Sequence, residues 1–350
     1  MEGEPGKLAI EKNVVIIGMK TVYINAFSSI DNLEVREVDD LPKPQGTNVL
    51  VRVHAAALNR ADLLQVRGLY PPPSGYSPNI PGLEFAGEVV EIGDEVTDIK
   101  PGTRVFGIAA GEGQAEYIVS HASLLVEIPE RLSFVEAACV PEAFITAHDA
   151  IVSQGRLTAG DTLLIHAVGS GVGLAALQIA KSWDVFVIGT SRTEDKLERA
   201  CEFGLDVGIV VRDVTDISAG VLEATQGLGA NVILDLVGGD YFPEDLKSLA
   251  ILGRVVLVGL TAGRTAEIDL GTVLQKRARV FGTVLRPRSI AEKAAATYAF
   301  ARDVLPLLAD GRVRPNLDRT FALSDVREAY SYLASNKSFG KVVLELSTDN

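Results

Sequence analysis

The sequence predicts an α/β protein in which a doubly wound parallel sheet follows a β-rich region. Three observations carry that prediction. From about residue 145, the apolar runs "TLLIHAV", "VFVIGTS", "VGIVV", "NVILDLV" and "RVVLVGL" alternate with helical segments, as right-handed crossovers between parallel strands require. Residues 20–130 instead alternate apolar and polar positions over short stretches, with turn residues between them. Between the two textures, "LLIHAVGSGVGLAALQIAK" (163–181) passes from an apolar run through Gly169, Gly171 and Gly173 into an Ala/Leu-rich helix start.

Taken in order, residues 1–19 form an N-terminal extension. Its apolar run 14–19 suits an extra strand or a docked tail, and Met19 is a candidate native start. It lacks the basic flank and the small-residue cleavage site of a signal peptide. Residues 20–144 form the β-rich domain, with strands in "TVYINAF", "LEVREV", "VLVRVHAAAL", "EFAGEVVEIG", "RVFGIAA" and "AEYIVS". Residues 145–284 form the parallel domain, and 285–350 return to the first domain. In that return, 289–309 predicts one long helix, Ser324 a helix cap, and "GKVVLEL" a closing strand.

Of the 350 residues, 47% are hydrophobic and 23% charged, which is enough apolar material for a full core. A net charge of −13 argues against a nucleic-acid footprint. No run approaches the roughly 18 apolar residues of a membrane span. Cys139 and Cys201 lack metal or C-x-x-C spacing, so two buried free thiols in a reducing compartment are expected, with a cytoplasmic location.

The glycine loop departs from G-x-G-x-x-G, because Val168 and Ser170 stand where a version ending at Gly173 has glycine. Its position after the first strand of a Rossmann-like series still points to a dinucleotide pyrophosphate held on backbone at Gly169, Ser170, Gly171, Val172 and Gly173. The second strand ends "VFVIGTSRTEDK" (185–196), with no acid at its end to take a ribose 2′-hydroxyl. Ser191, Arg192 and Lys196 can hold a 2′-phosphate instead, unless the two cations are merely solvated. The expected cofactor is therefore NADPH. Gly238, Gly239, Val258 and Gly259 close later strand ends and are candidate backbone contacts.

The stretches "AALNRADLLQVRGLYPPPSGYSPNIPGLEFAGEVVEIG" (56–93), "PEAFITAHDA" (141–150), "HAVGSGVG" and "NKSFGKVVLEL" resemble the quinone oxidoreductase branch of the medium-chain dehydrogenase/reductases. They are similar in particular to the tumour-suppressor-inducible type of animals and its bacterial counterparts, which also carries an "SGVG" ending. The resemblance runs from Met19 onward and implies a GroES-like first domain beside the Rossmann domain. Zinc members of the superfamily have Cys where this chain has Asn59, G-H-E where it has Gly82-Leu83-Glu84, and a third ligand in the region of "PEAFITA", which has no Cys. Leu83 cannot ligate, and Asn59 is a poor zinc ligand. The histidines at 54, 121, 148 and 166 are scattered. The resemblance thus implies metal-free hydride transfer from NADPH to a quinone, an ortho-quinone being favoured. It also implies that Asn59, Asp62 and Tyr70 line the cleft close to the nicotinamide as catalytic candidates, Asn59 also as a cofactor contact, and that Thr146 lies near the nicotinamide ribose, with His148 the weaker candidate there.

Each residue has a plainer reading. Tyr70 either stacks on a flat substrate or packs against "PPPSGY". Asp62 either acts in the cleft or only orients "NRAD". Lys341 either reaches the cofactor or is solvated. An enoyl-thioester or enone reductase on the same fold is the main alternative, and a cofactor-binding protein with an RNA-binding role is a weaker one. The apolar "RARVFGTVL" (277–285) predicts an exposed sheet edge paired in a homodimer.

Overall fold

The computed structural model describes residues 18–38 and 43–346. The extension read as 1–19 therefore lies outside the described residues up to residue 17. The chain runs β1 (Met19–Ile24), β2 (Leu33–Val38), β3 (Asn48–Ala57), α1 (Arg60–Val66), β4 (Glu84–Ile92), β5 (Arg104–Ile108), β6 (Tyr117–His121), β7 (Leu125–Glu127), α2 (Phe134–Ala138) and α3 (Pro141–His148). The nucleotide-type half follows as β8 (Thr162–Ile165), α4 (Gly171–Lys181), β9 (Phe186–Ser191), α5 (Glu194–Cys201), β10 (Val207–Val210), α6 (Thr215–Ala224), β11 (Ala230–Asp235), α7 (Tyr241–Ser248), β12 (Leu249–Leu257), α8 (Leu270–Lys276) and β13 (Arg279–Gly282). The tail adds α9 (Ile290–Asp303), α10 (Leu305–Asp310), β14 (Leu317–Ala322), α11 (Val326–Ala334) and β15 (Lys341–Glu345).

Among the described residues, six parallel strands lie in the order β10-β9-β8-β11-β12-β13. Counted from β8, this is the 3-2-1-4-5-6 order of a Rossmann sheet, with its switch point between β8 and β11. The other large sheet runs β14-β15-β3-β4-β5-β7, with β6 also on β3, so the end of the chain pairs with its beginning. The expected α/β class, a Rossmann sheet beside a GroES-like β domain, is the observed one. One apolar cluster joins the halves, from Ala57 and Phe106 through Phe144 to Leu163, Leu174 and Phe300.

Several expectations are corrected. The β-rich region is interrupted by α1, because Asn59 and Asp62 supply a helix start inside the alternating pattern. The long helix expected at 289–309 is two helices broken at Val304, where Pro306 enters the first turn of α10 and cannot continue the hydrogen-bond ladder of α9. Ser324 does not cap α11; a short 3₁₀ turn, Leu323–Asp325, intervenes and Asp325 holds the cap position. The two thiols are not both buried: Cys139 is, but Cys201 is exposed at the end of α5, and both are free.

Candidate active site

The glycine loop joins β8 to α4. Ser170 caps the helix, its Oγ accepting from the Gly173 amide at 3.1 Å. Ala167 turns the chain with φ 50°, in the left-handed region. A Cβ on Gly173 would lie 2.6 Å from the Val168 carbonyl oxygen, so the helix can start this close to the strand only with glycine there. A Cβ on Gly171 would lie 2.6 Å from Cδ of Lys341, so the loop rests directly on that side chain. The Gly340 amide also donates to the Gly169 carbonyl at 3.0 Å. Across the switch point, Asp235 at the end of β11 accepts from the Gly238 amide at 2.8 Å through Oδ1. Its backbone carbonyl takes the amides of Val258 and Gly259 at 2.8 and 3.3 Å.

At the end of β9, Ser191 is buried and its Oγ accepts from the Thr193 amide at 3.2 Å. Arg192 is exposed. Lys196 is half-buried, and its Nζ donates to the carbonyls of Asn336 and Ser338 at 2.7 and 2.8 Å. Burial lowers the Lys196 pKa; Asp195 opposes that, and the positive charges of Arg60 and Arg192 add to it. Arg60, from α1 in the other half, is lowered by burial and then by Arg192, and it bonds the Asn336 side chain. Three cations thus converge beyond β9, and Arg60 was not visible as one of them because the tertiary fold alone brings α1 there.

The facing wall is built from side chains. Asn59 donates through Nδ2 to Glu84 Oε1 at 2.9 Å and accepts from Lys341 Nζ at 2.7 Å. Lys341 also donates to the Leu58 carbonyl at 3.0 Å and pairs with Glu84 Oε1 at 2.6 Å. Glu84 Oε2 accepts the Glu142 amide at 2.8 Å. Lys341 is 5% exposed and Glu84 0%, so the reading of Lys341 as a solvated charge gives way to a buried ion pair. Asp62 is fully buried and turned inward: its oxygens take the amides of Asn59 at 2.7 Å and Gly82 at 3.3 Å. Burial pushes its carboxyl up to about 6 against the Asn59 hydrogen bond and the charges of Lys341 and Arg286. Its position is that of an orienting group for Asn59.

Tyr70 is half-buried with the Arg286 guanidinium 4.9 Å from its ring centre. Arg286 is itself buried and ties the Tyr70 carbonyl at 2.8 Å to the Ala110 carbonyl at 2.7 Å and Gln65 Oε1 at 2.5 Å. Thr146, on α3, keeps a buried hydroxyl with no hydrogen-bond partner among the described residues. His148 faces away, paired with Asp303 at 2.9 Å. His166 is buried between Asp245 at 2.6 Å and Thr190 at 2.9 Å, His54 stacks on Phe134, and His121 accepts from the Ser123 amide at the start of a 3₁₀ turn.

Two family models match the chain: an alcohol dehydrogenase GroES-like domain over residues 45–146 and a zinc-binding dehydrogenase domain over 171–299. Quinone oxidoreductase-like protein 2 of Bos taurus is 32% identical over 312 residues, covering 87% of each chain. The chain belongs to the quinone oxidoreductase-like medium-chain dehydrogenase/reductases. Members of this family are oxidoreductases that bind a nicotinamide dinucleotide. Acryloyl-coenzyme A reductase of Metallosphaera sedula is also similar, 30% identical with 95% of this chain and 99% of that one covered. Among solved structures, a quinone oxidoreductase of Pseudomonas syringae pv. Tomato DC3000 superimposes with a TM-score of 0.81 at 30% identity, covering 93% of this chain and 99% of that chain.

The second matched model describes a zinc-binding family, but the donor set of this medium-chain dehydrogenase/reductase is already engaged elsewhere. The carboxylate of Glu84 and the amide of Asn59 are both spent on the Lys341 ammonium, and buried Leu83 offers no lone pair. These residues do not fit a catalytic zinc. Among the described residues, no three His, Cys, Asp or Glu side chains converge to hold a metal.

Proposed function

We propose that the protein is an NADPH-dependent, metal-independent quinone oxidoreductase, with ortho-quinones as the favoured acceptors. The contact of Gly171 with the stem of Lys341 carries this reading, because it brings the backbone cradle and the Asn59 wall to one junction. The residues fit the dinucleotide: a glycine cradle at a helix start, an unpartnered buried hydroxyl on Thr146, and cations beyond β9. Bound there, the reduced nicotinamide supplies a hydride. Asn59, with its amide fixed from both sides by Glu84 and Lys341, gives a rigid polar floor. Tyr70, pinned by Arg286, offers a flat face on which a planar acceptor stacks. Lys196 spends two of its three N–H groups on carbonyls and keeps one for the 2′-phosphate, beside Arg192 and Arg60.

Reduction of an enone or enoyl thioester is the second reading, favoured by the similarity to acryloyl-coenzyme A reductase. An RNA-binding role fits poorly with a net charge of −13. A cytoplasmic location goes with the two free thiols. The edge strand β13 leaves Val280 42% exposed, and Val284, two residues beyond its end, is 49% exposed, which supports a homodimer paired along this edge; light scattering should give twice the chain mass. The function is tested by following NADPH absorbance with ortho-quinones, para-quinones, enones and enoyl thioesters. Fastest turnover with an ortho-quinone supports the first reading, fastest turnover with an enoyl thioester replaces it with the second, and no turnover with any acceptor rejects both.

A further inference from the structure

We propose that Glu142 is the acid that delivers the proton completing reduction of the acceptor. This rests on the reductase reading above and assigns the step that reading leaves open. Every residue of helix α3 is buried except Glu142, which is partly buried and keeps an edge open to solvent. Its carboxyl makes no hydrogen bond among the described residues, although its own amide is fixed on Glu84 at 2.8 Å. One helical turn on, Thr146 shares the same face of α3, so Glu142 is directed toward the same junction as that unpartnered hydroxyl.

The groups acting on Glu142 come from every surrounding element: Asp62 from α1, Glu84 from β4, Lys341 from β15, Arg286 from the segment after β13, Tyr70 from the loop after α1, and Lys293 from α9. Burial, then the negative charge of Glu84, raise its carboxyl to about 8, with Lys341 and Arg286 opposing. It therefore holds its proton at neutral pH, as a general acid must. The competing donors are weaker. Both Asp62 oxygens are taken by backbone amides, and Glu84 is paired with Lys341. Burial and the Glu142 charge push the Tyr70 phenol further up.

The step balances. With the dinucleotide bound, hydride delivery to the acceptor would leave an oxyanion beside this carboxyl. The Glu142 O–H bond breaks and a new O–H bond forms on that oxyanion. Glu142 is left as a carboxylate, which takes a proton back from water. A phenolate-like oxyanion, with a proton affinity corresponding to a pKa of about 10, accepts that proton downhill.

The test uses the full chain, wild type against Glu142→Gln and Glu142→Asp. In cofactor-free protein, the infrared difference between wild type and Glu142→Gln should show a protonated-carboxyl band that titrates near pH 8. A carboxyl already ionised at pH 6 overturns the proposal. In turnover with NADPH and the best acceptor, Glu142→Gln should lower kcat by roughly 100-fold or more. The NADPH dissociation constant, read by fluorescence, should stay the same. The wild-type fall in kcat above about pH 8 should vanish in Glu142→Gln. Glu142→Asp should recover part of the rate together with an alkaline limb, which also covers the case in which the Gln variant does not fold. An unchanged kcat and limb in Glu142→Gln overturns this proposal alone, as does loss of the limb in Lys293→Met instead. A wild type that consumes no NADPH with any acceptor overturns the reductase reading and this proposal together.

Discussion

The two sides of the candidate site are built in opposite ways. The cradle is backbone: one continuous stretch, His166–Gly173, whose shape comes from a left-handed Ala167 and glycines that let a strand and a helix meet. The facing wall is the side chains of Asn59, Glu84 and Lys341, held by an ion pair of 2.6 Å and hydrogen bonds of 2.7–2.9 Å, with the Glu142 backbone amide tied to Glu84 at 2.8 Å. A backbone cradle tolerates most substitutions that leave its glycines alone. A buried ion pair fails when either partner is removed, because the remaining charge has no water to solvate it.

That contrast can be broken most severely at Lys341. Lys341→Met leaves Glu84 buried and unpaired, and should cost about 3–5 kcal/mol in urea unfolding. Adding Glu84→Gln to it should recover part of that loss by removing the stranded charge. A Lys341→Met protein as stable as wild type would mean that the ion pair does not organise this wall.

A smaller effect is expected beyond β9, where the cations are partly solvated. Arg192→Ala or Lys196→Ala should each weaken NADPH by roughly 10- to 100-fold, the Arg192 change nearer the low end, and leave NADH nearly unchanged. Arg60→Ala, from the far half, should act in the same direction. Variants that lose both cofactors alike would show that these side chains do not read the 2′-phosphate. The mildest change is Tyr70→Ala, which should raise KM for the acceptor with NADPH affinity preserved, measured by steady-state kinetics and fluorescence titration.

The same contrast explains what could be read in advance. The fold class follows from local patterns, since strand periodicity, glycine spacing and turn residues all lie within a few positions of one another. The cradle shares that locality. The wall does not: Asn59 and Lys341 are 282 residues apart, and nothing near "GKVVLEL" signals that its lysine is buried against a glutamate in β4. Glu142 lies in "PEAFITAHDA", where the local pattern carries no sign of an acid, and its environment exists only once Tyr70, Glu84 and Arg286 surround it. The helix break at Val304 was legible in Pro306, but the apolar periodicity of the surrounding segment outweighed it.

Lys341 stands among the donors where zinc relatives hold their metal. The direct measurement is NADPH consumption with 1,2-naphthoquinone before and after exhaustive chelation, with zinc quantified in the same samples. No stoichiometric zinc and an unchanged rate are expected. Activity lost on chelation and restored by zinc would contradict that expectation.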